Sequence, residues 1–167
     1  MQIERLSPAH DQCRKVFDCG KEPLNRYLRE RAGQDFKAKV AVTFVLVSDS
    51  GERILGYYTL SALSVRACEL PVEIQRKLPR YPEIPVTLMG RLAIDKEYQG
   101  QGFGEHLLLD ALRRSLEATT DVASFAVLVD AKDENACQFY RNYDFIQFPE
   151  QARRLFLPMR TIEQLLR

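Results

Sequence analysis

The stretch R-L-A-I-D-K-E-Y-Q-G-Q-G-F-G-E-H, Arg91 to His106, decides how the chain is read. It opens on an apolar run, then sets three glycines (Gly100, Gly102, Gly104) into five positions. Beyond it Leu108, Ala111, Leu112 and Leu116 recur at helical spacing between His106 and Ala118. The order is strand, glycine loop, helix. The first N–H groups of such a helix leave a loop with almost no side chains to cover them. Free donors at the positive end of a helix dipole favour phosphate or pyrophosphate, and glycine lets that ligand reach the backbone. A tight strand-to-helix turn with no ligand would use the same residues. Two specific alternatives do not fit. A P-loop needs G-x-x-x-x-G-K-[ST], and no Lys-Ser or Lys-Thr follows; a dinucleotide fingerprint needs G-x-G-x-x-G, and Glu105 stands at its last glycine.

Outward from this segment the chain reads as alternating strands and helices without repeats or linkers. A strand near Gln2 to Leu6 precedes a helix from about Pro23 to Phe36, with Leu24, Tyr27, Leu28 and Ala32 on one face. The β-rich runs Ala41 to Val47 and Arg53 to Leu60 flank the turn Asp49-Ser50-Gly51 and predict a hairpin. A short helix at Val72 to Leu78, a strand at Val86 to Ile94 and a buried strand at Ser124 to Val129 follow. A helix at Glu134 to Asn142 behind the N-cap Asp133 leads to closing strands at Phe145 and Arg154 to Leu157. The fold class is α/β with a mixed sheet.

Composition narrows the function. With 167 residues, 46% hydrophobic and 28% charged, the chain suits one domain over residues 1–167. No apolar run is long enough for a membrane span and the first residues lack a signal-peptide layout, so a cytoplasmic protein is expected. Cys13, Cys19, Cys68 and Cys137 form no C-x-x-C pair, and with His10 and His106 the only histidines no metal site is expected. They read as reduced, mostly buried thiols. A net charge of +1 does not mark a nucleic-acid binder.

The glycine segment also matches Q-x-x-G-x-G, as Gln99, Gly102 and Gly104, and residues 134 to 145, E-N-A-C-Q-F-Y-R-N-Y-D-F, match N-x-x-x-F-Y-x-x-x-G-F with Asp144 at the glycine. Together these resemble the GCN5-related N-acetyltransferases, the GNAT family, over roughly residues 40 to 157. Asp tolerates the left-handed conformation, so the turn at Asp144 is expected to survive. The resemblance implies a GNAT fold: a mixed, mostly antiparallel central sheet flanked by helices, in a single domain. It implies acetyl-CoA as cofactor, with pantetheine on the backbone of Leu92, Ala93 and Ile94. The pyrophosphate would lie on Gln99, Gly100, Gln101, Gly102, Phe103 and Gly104, and Asn135 would touch the cofactor arm. It implies Tyr140 as the catalytic acid, since a phenol can give a proton to a departing thiolate. An amphipathic core aromatic beside Phe139 is the plainer reading of Tyr140. The sequence names no general base, and His106 reads as a first-turn helix residue.

The segments F-D-C-G-K-E-P-L-N-R-Y-L (17–28), T-F-V-L-V (43–47), G-Y-Y-T-L-S (56–61) and I-P-V-T-L-M-G-R-L-A-I-D (84–95) extend the likeness to nearly the whole chain. They resemble the GNAT toxins of toxin–antitoxin modules. That branch acetylates the α-amino group of aminoacyl-tRNA, blocks translation and is neutralised by a ribbon-helix-helix antitoxin; many family members form homodimers. Contacts to the tRNA acceptor end would fall to Arg91, with Arg80 and Lys77 as further candidates. Two alternatives stay open: a GNAT enzyme acting on a small-molecule or protein amine, and a non-catalytic CoA-binding module in a partner or DNA complex.

Overall fold

The chain turns where its sequence puts small polar residues and glycine. At Ser48 to Arg53 the amide of Gly51 donates to Ser48 and that of Ser48 to Arg53, both at 2.9 Å, with Gly51 at φ +77°. The computed structural model describes all of residues 1–167. Strand β1 (Gln2–Arg5) leads through a 3₁₀ turn to α1 (Cys13–Val16) and α2 (Glu22–Arg26). A π turn (Tyr27–Arg31) joins α2 to α3 (Ala32–Lys37), and the hairpin β2 (Val42–Val47) and β3 (Ile54–Arg66) follows. Next come α4 (Val72–Gln75), β4 (Glu83–Ile94) and α5 (Phe103–Ala118). The chain closes with β5 (Ala126–Asp130), α6 (Glu134–Arg141), β6 (Ile146–Phe148), β7 (Gln151–Pro158) and α7 (Met159–Leu165).

The seven strands run in the order β1-β2-β3-β4-β5-β7-β6. The pairs β1–β2, β2–β3, β5–β7 and β6–β7 are antiparallel, and β4–β5 is parallel through Thr87↔Val127 and Leu88↔Leu128. The sheet is thus mixed and mostly antiparallel, as expected. No helix is long and apolar enough to cross a membrane.

The backbone divides into two compact units, Met1–Ser61 with Met89–Ala111, and Ala62–Leu88 with Leu112–Arg167. In the first, the inward face of the early helices (Leu24, Tyr27, Leu28, Ala32) packs on Val45, Val47, Ile54, Tyr57 and Ala93. Gly56 is part of the same unit. A Cβ there would come within 2.7 Å of Ile94 Cδ1 and 2.8 Å of both Ala93 O and Leu107 Cδ1, so α5 sits against β3 only because this residue has no side chain. In the second unit Val65, Leu70, Ile84, Val86, Ala126, Leu128, Phe148 and Phe156 form the core.

Four of the details that differ from the sequence expectation have a local reason. The first helix forms but widens at Tyr27–Arg31, where the amide of Ala32 donates five residues back to Tyr27 O. Helix α5 begins at Phe103, three residues early, which puts Gly104 in its first turn. Helix α4 stops at Gln75, and the amides of Lys77 and Leu78 continue only in 3₁₀ fashion, to Ile74 and Gln75. Helix α7 was not foreseen. It starts after Pro158 and buries Met159 and Ile162, a pattern too short to stand out in sequence.

Candidate active site

The glycine segment is held at one end and open at the other. Buried Asp95 follows β4 and accepts from the amides of Glu97 (3.0 Å) and Asp18 (3.1 Å). The side-chain amide of Gln99 donates to Ile94 O (2.9 Å) and Cys19 O (3.1 Å). Gln99, expected among the cofactor contacts, therefore spends its side-chain NH₂ anchoring the loop. Beyond this clamp Gly100 and Gly102 take φ +79° and +85°, and a Cβ on either would meet nothing within 4 Å. The first-turn N–H groups of a helix have no intrahelical acceptor, and here they belong to Phe103, Gly104 and Glu105.

Alternation of left-handed and ordinary backbone turns successive amides toward one concavity, an anion nest. The segment thus fits a diphosphate. It has bare amides, open space where side chains would stand and the positive end of a 16-residue helix behind it. The expected contacts Gly100, Gln101, Gly102, Phe103 and Gly104 are brought together in the first unit. Leu92 and Ile94, half-buried, and Ala93, buried, end the strand that feeds this loop, and Ile94 O is the carbonyl taken by Gln99. Exposed Glu105 is the one acid of the first turn. It opposes anion binding slightly.

Arg91 lies on the same strand and is fixed by stacking. Its guanidinium carbon sits 3.5 Å from the centre of the Tyr27 ring, which lies nearly parallel to Tyr57 at 6.5 Å and 14°. The Tyr27 hydroxyl donates to Asp35 at 2.7 Å, and that of Tyr57 to Leu24 O at 2.7 Å. Burial, followed by the bond to Asp35, pushes the Tyr27 pKa up to about 12, and burial pushes that of Tyr57 up as well. Both rings stay neutral. A stacked guanidinium keeps its N–H donors free at the rim, the geometry that reads phosphate or carboxylate. Sequence reasoning named Arg91 but saw in Tyr27 only an apolar helix face; its contact spans 64 residues of chain and leaves no local signal.

The second unit carries Tyr140. Asp133 caps α6, its Oδ1 accepting from Ala136 N at 2.8 Å, and Cys137 and Tyr140, one turn apart, form the buried face. The Tyr140 ring stands edge-on to Phe139 at 5.2 Å and tilted against Phe145 at 5.3 Å. Asp144 holds φ +69°, as expected, and so lets Phe145 N reach Tyr140 O at 3.3 Å. Burial alone drives the Tyr140 pKa up, with no charge or hydrogen-bond partner contributing, so the phenol keeps its proton and its donor is unspent. Tyr140 is buried like the core aromatic of the plainer reading, and its phenol stays protonated. Asn135 is exposed in the first turn of α6, on a different face. Lys77 and Arg80 are exposed in the turn between α4 and β4 of this unit. The cysteines are free, with Cys13, Cys19 and Cys137 buried and Cys68 exposed.

Residues 41–147 match the family described as acetyltransferase (GNAT) domain. A tRNA-acetylating toxin of Mycobacterium tuberculosis is 35% identical over 162 residues, 97% of this chain and 94% of that protein. The solved structure of AtaT complexed with acetyl-methionyl-tRNAfMet has a TM-score of 0.90 at 35% identity, covering 99% of each chain. A mutant AtaT toxin bound to the C-terminus of the antitoxin AtaR and acetyl-CoA has a TM-score of 0.82 at 31% identity, covering 99% of this chain and 97% of that one. The glycine nest, the capped helix bearing a protonated tyrosine and these matches converge: the chain belongs to the GNAT family of acetyltransferases.

Proposed function

We propose that the chain is an acetyl-CoA-dependent N-acetyltransferase toxin that acetylates the α-amino group of aminoacyl-tRNA, in the cytoplasm, and is neutralised by a ribbon-helix-helix antitoxin. The observation that carries this reading is the likeness to a tRNA-acetylating toxin over 97% of the chain, well beyond the acetyl-donor motifs. Residues 1–167 act as one acetyltransferase domain in this reading.

Acetyl-CoA, when bound, supplies an acyl group already activated as a thioester. The amides from Gly100 to Gly104 hold its diphosphate, the backbone of Leu92, Ala93 and Ile94 lines up its arm, and Asn135 adds a polar contact. Gln99 keeps the loop in place through its two carbonyl bonds. Tyr140 holds a proton at Oη, available to a leaving group that departs as an anion; its raised pKa keeps that proton through the neutral range. No protein nucleophile is needed. The acceptor is an α-amine beside an ester, whose electron withdrawal lowers the amine pKa and leaves more of it neutral. Arg91 offers its rim donors to a phosphate of the acceptor end, with Arg80 and Lys77 as further cations.

The test is incubation with labelled acetyl-CoA and total charged tRNA, followed by mass spectrometry of the released aminoacyl groups, alongside protein synthesis in an extract. N-acetylated aminoacyl groups and arrest only when acetyl-CoA is present are expected. Label in a polyamine or a protein with charged tRNA untouched would overturn the toxin reading and keep the transferase.

A further inference from the structure

Residues 76–81, R-K-L-P-R-Y, carry three cations and no acid. Arg76, Lys77 and Arg80 are exposed and stand outside every ion pair of the protein. Beside them Tyr81 is 67% exposed, although an aromatic ring is among the most favourable groups to bury. Phe36, also exposed, is partly covered by Arg5, whose guanidinium lies 5.7 Å from its centre; Tyr81 has neither ring nor cation against it. Its backbone is nevertheless fixed. Pro79 and Pro82 bracket it, its amide donates to Pro79 O at 2.9 Å, and Pro82 O accepts from Ala67 N at 2.9 Å. Little entropy is left to lose when something lands on the ring.

We propose that Tyr81 is a stacking platform for an unpaired nucleotide at the 3′ end of the acceptor RNA, with Arg76, Lys77 and Arg80 meeting the adjoining phosphates. The inference rests on the aminoacyl-tRNA reading above and adds a residue to it. A protruding ring among unpaired cations suits single-stranded RNA, whose bases offer flat faces and whose backbone offers one negative charge per nucleotide. An acidic protein segment is the competing class. It would use the cations and has less use for an isolated, exposed ring.

The test compares Tyr81→Ala, Tyr81→Phe and Arg80→Gln with the unchanged protein in steady-state acetylation of charged tRNA. Tyr81→Ala should raise KM for charged tRNA roughly 5- to 100-fold, with kcat and the KM for acetyl-CoA little moved. Tyr81→Phe, which keeps the ring face, should restore the KM. Arg80→Gln should lower the slope of log KM against log salt by about one, which Tyr81→Ala should not. An unaltered KM in Tyr81→Ala, a Phe variant as poor as the Ala variant, or kcat falling in step with KM would each overturn the platform. Anisotropy of a fluorescein-labelled single-stranded RNA ending in C-C-A separates this inference from its premise. If the unchanged protein fails to acetylate charged tRNA yet binds this RNA through the ring, the function falls and the platform stands. If Tyr81→Ala spares RNA but escapes an antitoxin segment, the loop is a protein-docking face and the proposal falls.

Discussion

At the start of α5 the groups proposed to work are peptide amides laid bare by Gly100 and Gly102, while on α6 the proposed group is a single phenol packed against Phe139 and Phe145. The first site depends on what is missing: a Cβ would meet nothing there, and that vacancy is where a ligand can go. The second depends on what surrounds it, since burial alone keeps the Tyr140 proton in place. One is specified by backbone angle, the other by desolvation. They should therefore respond to different insults.

Tyr140→Phe should show the largest effect. It removes a hydroxyl with no protein partner and leaves the packing, so kcat should fall roughly 10²- to 10⁴-fold while calorimetry finds acetyl-CoA affinity unchanged. The pH profile sharpens the same point. An exposed phenol loses its proton near pH about 10; burial raises the Tyr140 pKa, so the acid form persists above that pH and the alkaline fall in single-turnover rate should lie higher still. An alkaline limb centred well below pH 10 would assign the acid to another group.

The next test sets two glycines against each other. Gly102→Ala forces a side chain into φ +85°, at a cost of about 1–2 kcal/mol, which should appear chiefly as a roughly tenfold weaker Kd for acetyl-CoA. Gly56→Ala meets a carbonyl and two methyl groups instead, so overpacking should lower stability in urea by about 1–3 kcal/mol with a smaller effect on the coenzyme. If both variants lost stability alone, the mouth of α5 would be a turn and nothing more.

The smallest effect belongs to Asp144→Gly. The residue already holds φ +69°, so glycine should relieve strain and raise urea stability by about 0.5 kcal/mol, leaving Tyr140 chemistry as it was.

Much of this was legible because it is local. Strand, glycines and amphipathic helix follow one another within Leu92 to Ala118; Asp133 precedes its helix by one residue; Asp144 occupies a turn position whose angle a short polar side chain tolerates. What escaped is non-local or cumulative. Nothing near Gln99 announces that its amide will reach back to Cys19, and nothing near Tyr27 announces the Arg91 guanidinium. The division of the backbone at Ser61, Leu88 and Ala111 falls inside β3, β4 and α5, where no change of composition marks it. The widened turn at Tyr27–Arg31 has no proline or glycine to signal it.

That widened turn sets an angle. Each residue advances an α-helix by about 100°, so one residue too many in a regular helix would rotate everything upstream by more than a quarter of a revolution relative to everything downstream, and the widened turn at Tyr27–Arg31 takes up that residue instead. Without the widening, Tyr27 would swing off the guanidinium it supports, with every side chain still present. The widening is a phase adjustment between the two ends of one rod, and a chain that lacked both the extra residue and the widened turn would present the same ring to the arginine.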